Sequence, residues 1–464
     1  MSFLQQILPS KQAEVLALQA ALARATPTRS DDCPVRDFAA ALQGGNRLIA
    51  EIKRKSPSHP AFRQLATPTT LARAYRRNGA AALSIVTDDA HFGTSLEDVA
   101  TVKAAVALPV LVKDFVIDEV QLLAAWAAGA DAVLLIVRML DGPRLGELLR
   151  YAESLGLHVL VECHDRADID LALAAEASLI GVNNRDLATL TTDLAHGAAM
   201  LPFLARPAVR VSESGLYRRA DIEHMAALGA DAFLVGHALL SSRDPGRKVA
   251  ELAGRESETG LRVKACGITS AADARLAHRA GAHLLGLIFA PGARQIDAAG
   301  AGLIRQAVPA ARLCGVFMDA PVAEIARAAA SCDLDLIQLH GTESPQLCRE
   351  VAAATGRPLI KALTADLATP EQAAAYEAAA YFLVDLPKGR PGHGLVPADC
   401  RAAARSLAAA GHEVFLAGGL TPENVQAAVA EVRPYGVDVA SGIETSPRTK
   451  NENLIRTFIA EANR

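Results

Sequence analysis

The stretch VLVKDFVIDEVQLLAAWAAGADAVLLIV, residues 110–137, decides the fold. Val110–Lys113 is an apolar run that ends in a lysine. Val120–Ala128 repeats its apolar positions at helical spacing, and Ala132–Ile136 is a second apolar run. A strand apolar at nearly every position is one buried on both faces, as in a parallel sheet covered by helices. The segment therefore reads as strand, helix, strand, one parallel β-α-β unit. Its most apolar part, Ala124–Val137, is too short to cross a bilayer and carries Asp131.

Working outward, the same alternation fills the first half of the chain. The apolar runs are Leu48–Glu51, Leu83–Val86, Val110–Lys113, Ala132–Ile136, His158–Glu162, Leu179–Val182, Val209–Glu213 and Ala232–Val235, each followed by a helix-like segment such as Ala220–Leu228. Eight such units in about 250 residues predict a (β/α)8 barrel. The pattern then restarts with Arg262–Ala265, Leu284–Phe289, Leu313–Phe317, Leu336–Leu339, Leu359–Lys361, Tyr381–Asp385, Val414–Ala417 and Val437–Ala440. The expected fold class is α/β, two tandem (β/α)8 TIM barrels over residues 1–252 and 261–464. The polar, glycine-flanked AGRESETG at 253–260 is the expected linker. A leader, residues 1–46, contains the helical-period stretch Lys11–Arg24, expected to add helices to the first barrel. Periodicity alone does not close a sheet, so two doubly wound open sheets are the alternative.

Composition narrows the function. The 464 residues are 51% hydrophobic and 21% charged, with a formal net charge of −4, which fits folded globular domains. A slightly acidic chain with both signs interspersed argues against nucleic acid or an anionic membrane as partner, and leaves room for small phosphorylated molecules. The seven cysteines, Cys33, Cys163, Cys266, Cys314, Cys332, Cys348 and Cys400, are odd in number and form no C-x-x-C pair. Reduced cytosolic thiols fit them better than a disulfide framework or a zinc site. The segment MSFLQQILP has no basic n-region or long apolar stretch of a secretion signal, so the expected location is cytoplasmic.

In such a barrel the active site lies at the C-terminal ends of the strands. In the first half these ends carry Glu51 with Lys53, Lys113, Glu162, Asn183 with Arg185, and Glu213 with Ser214. One charged strand end is usually a solvated loop residue. Several on one rim suit acid–base work, because crowded acids and lysines shift one another's pKa values. After the last two strands stand Gly215 and Gly236, and in the second half Gly418, Gly419 and Gly442. A single glycine there makes a tight turn. The same pattern in both halves favours a phosphate, bound by backbone N–H groups at helix starts.

The first half resembles the indole-3-glycerol-phosphate synthase family through IAEIKRKSPS (49–58), LVKDF (111–115), VEC (161–163), GVNNRDL (181–187), VSESG (211–215) and FLVG (233–236). The second half resembles the phosphoribosylanthranilate isomerase family through VKACGIT (263–269), LGLIFAPGARQI (285–296), CGVFMD (314–319), IQLHGTES (337–344), FLVD (382–385), FLAGGLTPENV (415–425) and VDVASGIET (437–445). Synthase before isomerase is also the order of known bacterial fusions. The resemblance implies a bifunctional enzyme of tryptophan biosynthesis. Its second half would open the ribose of N-(5-phosphoribosyl)anthranilate by an Amadori rearrangement. Its first half would close the indole ring with loss of carbon dioxide and water. No metal or organic cofactor is implied, and two fused barrels suffice as a monomer. The alternatives are one barrel without activity, kept as a structural partner, or a second half acting on a phosphoribosyl substrate of histidine biosynthesis. The latter chemistry uses paired aspartates, against which Cys266 opposite a single Asp385 argues.

Residue roles follow from the resemblance. In the isomerase half Cys266 is the base and Asp385 the acid, Arg294 grips the anthranilate carboxylate, and Gly418, Gly419, Ser441 and Gly442 hold the phosphate. A cysteine base calls for a pKa lowered by nearby positive charge, and an aspartic acid donor for one raised by burial. The other six cysteines read as core thiols. His340 lines the pocket or is bonded locally, and Lys264 is a second candidate or a plain strand residue. In the synthase half Lys113 is the general acid for ring closure. Lys53 grips the substrate carboxylate and assists, and Arg185 lies near the anthranilate ring. Glu162 serves the dehydration, with Asn183 positioning it, while Glu51 and Glu213 hold the network. Ser56, Ser214, Gly215, Gly236 and His237 form the phosphate site. The chain departs from the family patterns at His59-Pro60, at His237, at GAR (292–294), in the loop GRPGHGLVPADC (389–400) and at SPRTKNEN (446–453). These departures bear on loop geometry and remove no chemical group.

Overall fold

The computed structural model describes residues 3–22, 24, 27–56, 62, 66–186, 189–204, 208–255, 260–386 and 396–464. The chain divides into two compact units, residues 1–258 and 259–464. Of the expected linker, residues 256–259 lie outside the described residues, as do His59-Pro60 and residues 389–395 of the glycine-rich loop.

In the first unit β1 (Arg47–Ile52), β2 (Ala82–Val86), β3 (Val110–Lys113), β4 (Ala132–Ile136), β5 (His158–Cys163), β6 (Leu179–Asn183), β7 (Val209–Glu213) and β8 (Ala232–Val235) form one closed barrel. Neighbours are parallel, and β8 closes on β1 with Leu48 opposite Phe233. In the second unit β9 (Arg262–Cys266), β10 (Leu284–Ile288), β11 (Leu313–Phe317), β12 (Leu336–Leu339), β13 (Leu359–Thr364), β14 (Ala379–Asp385), β15 (Val414–Leu416) and β16 (Gly436–Val439) do the same. There β16 closes on β9, with Asp438 opposite Lys264. Both sheets are closed, which removes the open-sheet alternative.

Strand parity separates two cores. Leu48, Ala50, Leu83, Val112 and Val161 face outward and pack under the helices. Ile49, Ala82, Leu111, Leu134, Leu160, Leu179, Val211 and Leu234 face inward and fill the barrel. The second unit repeats this, with Leu284, Cys314, Leu336, Ile360, Leu383 and Phe415 inside. Because side chains alternate along a strand, each inward position predicts the next one two residues on. Ile49 leads to Glu51, Leu111 to Lys113, Leu160 to Glu162, and Val211 to Glu213. The apolar parity that fills the barrel therefore ends, at its mouth, in the charged groups.

The leader forms a helix over Phe3–Leu22 and a short one over Phe38–Ala41. The first begins ahead of the expected Lys11 start and contains Pro9. Ile7, Phe38 and Leu42 join the inner core of the first barrel. A feature with no counterpart in the sequence reading is the small antiparallel hairpin β17 (Glu444–Ser446) and β18 (Thr449–Lys450), too short and polar to show a strand period. Among the described residues, no helix is long and apolar enough to cross a membrane.

Candidate active sites

The mouth of the first barrel is one cavity lined by Glu51, Lys53, Ser56, Lys113, Glu162, Asn183, Arg185, Ser214, Gly215, Gly236 and His237. These come from both ends of the first unit's sequence and meet because each sits at or just past a strand end. Lys113 Nζ lies 3.3 Å from Glu162 Oε2, and Lys53 is paired with Glu51. The Arg185 N–H donates to Asn183 Oδ1 at 3.0 Å, which fixes the amide in the mouth. Phe92, Phe115, Leu190 and Tyr217 complete the lining. The Lys53 ammonium is 5.9 Å from the centre of the Phe92 ring, an apolar wall beside a cation.

Two glycines at this mouth make room for carboxylates. A Cβ on Gly236 would lie 2.1 Å from Glu51 Oε1, and one on Gly181 would lie 2.0 Å from Glu213 Oε1. Gly236 thus does more than turn the chain: it admits Glu51 and precedes the short helix His237–Leu240. Ser214 and Gly215 both adopt left-handed backbone, at φ 67° and 77°. Glu213 differs from its expected neighbours. It is 1% exposed, does not line the cavity, and neither carboxyl oxygen has a hydrogen-bond partner among the described residues.

Electrostatics separates the acids. Burial pushes up the Glu213 carboxyl, the nearby Glu162 adds to this, and Lys113 only partly opposes it. Burial also acts on Glu51, but Lys53 and Lys113 outweigh it and hold that carboxyl below its ordinary value. Burial would discharge Lys113, yet Glu162, Glu213 and Glu51 together raise it, so it stands as an ammonium.

Sequence reasoning missed Lys11 and Asn184. The leader lysine is 1% exposed and reaches Asp114 Oδ1 at 2.6 Å and Asp88 Oδ2 at 3.2 Å. Asp114 follows Lys113 directly and also accepts from Thr87 Oγ1 at 2.7 Å. Nothing local marks Lys11, because its partners are distant in sequence. Asn184 Nδ2 donates to the carbonyls of Glu213 and Ser214 at 2.8 and 2.9 Å, tying the ends of β6 and β7 together. The motif GVNNRDL contains it, but only its first asparagine was singled out.

The mouth of the second barrel is a cavity lined by Cys266, His340, Asp385, Gly418, Gly419 and Ser441, with Gln338, Asp438 and the apolar Ile288, Val316 and Met318. His340 both lines the cavity and is bonded locally, so the two readings of it hold together. Its Nδ1 lies 2.7 Å from Gln338 Nε2 and its Nε2 lies 3.4 Å from Asp385 Oδ2. Gly418 and Gly419 have φ of 90° and 83°, backbone that favours glycine. Gly442 does not line the cavity. A Cβ there would lie 2.1 Å from the Leu420 carbonyl oxygen, so its small size serves close packing of the loops after β15 and β16.

Three expectations for this mouth need correction. Cys266 is 6% exposed, and burial raises its thiol; Asp438 adds to the rise, while Lys264 and Lys450 oppose it without prevailing. Positive charge is present, as expected, but it does not outweigh burial. The Asp385 side chain is 29% exposed, so the burial expected for an acid donor is only partial. Arg294 does not line the cavity: its Nε and Nη2 grip Glu444 at 2.8 and 2.6 Å, and Lys450 donates to the same carboxylate at 2.9 Å.

Comparison with known proteins divides the chain at the same place. Residues 4–252 match the family model described as indole-3-glycerol phosphate synthase, and residues 263–461 the model described as N-(5'-phosphoribosyl)anthranilate (PRA) isomerase. The chain is 49% identical over 216 residues to an indole-3-glycerol phosphate synthase of Micrococcus luteus, covering 45% of this chain and 81% of the relative. It is 43% identical over 252 residues to the one of Pelodictyon phaeoclathratiforme, covering 53% and 98%. A solved phosphoribosyl anthranilate isomerase of Thermus thermophilus shares 39% identity, covering 43% of this chain and 98% of that one, with a TM-score of 0.39. The chain belongs to the indole-3-glycerol phosphate synthase family over its first barrel and to the phosphoribosylanthranilate isomerase family over its second, and is a bifunctional enzyme of tryptophan biosynthesis with both activities.

Proposed function

We propose a division of labour among the residues of each mouth. In the isomerase barrel Asp385 protonates the ring oxygen of the phosphoribosyl group, and the ring opens to an iminium. Cys266 then removes the C2 proton, and the enamine so formed becomes the ketone. Both side chains line one cavity, and His340 beside Asp385 orients the carboxyl. The phosphate rests on the loops of Gly418, Gly419, Ser441 and Gly442, where left-handed backbone and close packing bring N–H groups together. Arg294 receives the anthranilate carboxylate through the Nη1 edge that Glu444 leaves uncovered.

The product moves to the synthase chemistry. Lys113, held as an ammonium, donates to the ketone oxygen as the anthranilate ring carbon attacks. Lys53 binds the carboxylate that departs as carbon dioxide, against the Phe92 wall. Arg185 lies along the anthranilate ring. After carbon dioxide has left the attacking ring carbon, Glu162 takes a proton from the methylene carbon bonded to nitrogen as the hydroxyl departs as water, with Asn183 positioning it. Glu51 stays ionised between the lysines and contacts a substrate hydroxyl. Glu213 holds the network from behind. The phosphate lies on Ser56, Ser214, Gly215, Gly236 and His237, with the His237 ring edge-on to Tyr217 at 5.8 Å.

The observation that carries this reading is the Lys113–Glu162 pair standing beside the Lys53–Glu51 pair in a single cavity. Each cavity is built from one unit, so the reading has the chain act on small phosphorylated substrates as a monomer, in the cytoplasm, where its seven thiols stay reduced. A coupled assay tests it. The purified chain should convert both phosphoribosylanthranilate and the separately supplied carboxyphenylamino-deoxyribulose phosphate to indole-3-glycerol phosphate. Lys53→Ala should raise KM for the latter more than it lowers kcat; a change in kcat alone would contradict the carboxylate assignment.

A further inference from the structure

Lys264 has no part in the roles above, yet its placement is specific. On β9 it shares a face with Cys266, two residues on, so both side chains enter the barrel, Lys264 one layer deeper. It has 0% exposure, and its Nζ lies 3.0 Å from Oδ1 of Asp438, its register partner on β16. Gly286, the register partner of Cys266 on β10, leaves the space in which they meet. A Cβ there would lie 2.8 Å from the Cys266 sulfur and 3.1 Å from Lys264 Nζ. An ammonium has three donors, and Asp438 takes one. A buried ion pair adds little stability over apolar side chains of the same volume, so its place directly beneath the sulfur calls for another account.

We propose that Lys264 is the counter-ion of the Cys266 thiolate and that Asp438 holds it in position. The inference rests on Cys266 being the isomerase base. In the step it serves, the C2–H bond of the iminium breaks and an S–H bond forms. The C–H electron pair moves into the C1–C2 bond as the iminium nitrogen becomes neutral. Lys264 stays an ammonium throughout: burial would discharge it, but the Asp438 carboxylate beside it holds it charged.

Other groups act on the sulfur. Cys314 from β11 is a thiol pushed up by burial, and it remains neutral beside a thiolate. Lys450 from β18 lies near enough to favour the thiolate, as does Arg294 from the loop after β10, but both are engaged by Glu444. Lys264 is the cation on the base's own strand, and Asp438 opposes it from β16. The two should therefore act on the thiol with opposite sign.

The test is the pH dependence of Cys266 alkylation by iodoacetamide, read by mass on the Cys266 peptide of the full chain without substrate. Lys264→Met should move the midpoint up by about one pH unit or more, slowing alkylation at mildly alkaline pH about tenfold. Asp438→Asn should move it down, and the acid limb of isomerase kcat/KM should follow each shift. Unchanged midpoints, or shifts of the same sign, would overturn the proposal. Should Lys264→Met fail to fold, Lys264→Gln takes its place, since it keeps a donor for Asp438 and removes only the charge; a midpoint that does not rise would overturn the proposal. The base reading itself fails separately, if Cys266→Ala retains isomerase activity.

Discussion

The two mouths share one architecture and differ in how their charges are kept. In the synthase barrel lysines and glutamates pair at the rim, and a third carboxyl, Glu213, is sealed behind them. In the isomerase barrel Cys266 is buried and Asp385 stands partly in solvent, both lining one cavity. The difference teaches that the barrel supplies only positions. Inward parity delivers a residue to the mouth every second place, and the neighbours delivered with it set its charge. Ring closure with decarboxylation handles several charges at once and has a dense ionic cluster. Proton transfer between two carbons and an oxygen needs one acid and one base, and fewer ionic groups line that cavity, the Lys264–Asp438 and Arg294–Glu444–Lys450 contacts standing behind Cys266.

The largest expected effects come from removing the acid–base groups, and they separate the mouths. Lys113→Ala should lower synthase kcat by about three orders of magnitude and leave isomerase turnover near wild type. Cys266→Ala should do the reverse. Loss of both reactions from either change, in a folded chain, would break the comparison. Next come the glycines that admit carboxylates. Gly236→Ala and Gly181→Ala should each displace a glutamate and lower synthase kcat/KM by about a hundredfold without touching the isomerase. Activity unchanged in both would mean that Glu51 and Glu213 have freedom this account denies them.

A smaller effect is expected from the leader. Lys11 holds Asp114, the residue after Lys113, so Lys11→Met should lower synthase kcat about tenfold with little change in KM. A rise in KM alone would instead place the leader in substrate binding. The smallest effect is on stability, at Glu213. A carboxyl raised on folding lends its full stability below its unfolded value and loses it as pH climbs toward the folded one. Glu213→Gln should therefore stabilise the chain by about 1–2 kcal/mol near pH 8 and by little near pH 4. Calorimetry at the two pH values checks this, and a gain independent of pH would mean the carboxyl is not strained by its burial.

Much of this was legible in the chain itself. Runs such as Val110–Lys113 and Val209–Glu213 begin and end where the strands do, because burial on both faces leaves an unbroken apolar signal that stops at the mouth. The groups at those stops, from Glu51 to Arg185, converge as the parity requires, while Glu213 lies buried behind them. What stayed hidden depends on partners far away in sequence. Lys11 looks like any polar residue on an amphipathic helix until Asp88 and Asp114 are beside it. Asp438 gains meaning only when β16 closes on β9. Glu444 and Lys450 lie on a hairpin with no readable period, so the capture of Arg294 could not be foreseen. The pKa directions were hidden for the same reason. The charges near Cys266 could be guessed, but the degree of its burial could not.

The central claim is that one chain carries two complete and independent sites. The most direct measurement mixes Cys266→Ala with Lys113→Ala, supplies phosphoribosylanthranilate, and follows indole-3-glycerol phosphate. The account predicts no product from either variant alone and steady product from the mixture, as the intermediate leaves one chain's isomerase and enters the other chain's synthase. A mixture that stays silent, while each variant keeps its remaining activity on its own substrate, would contradict it.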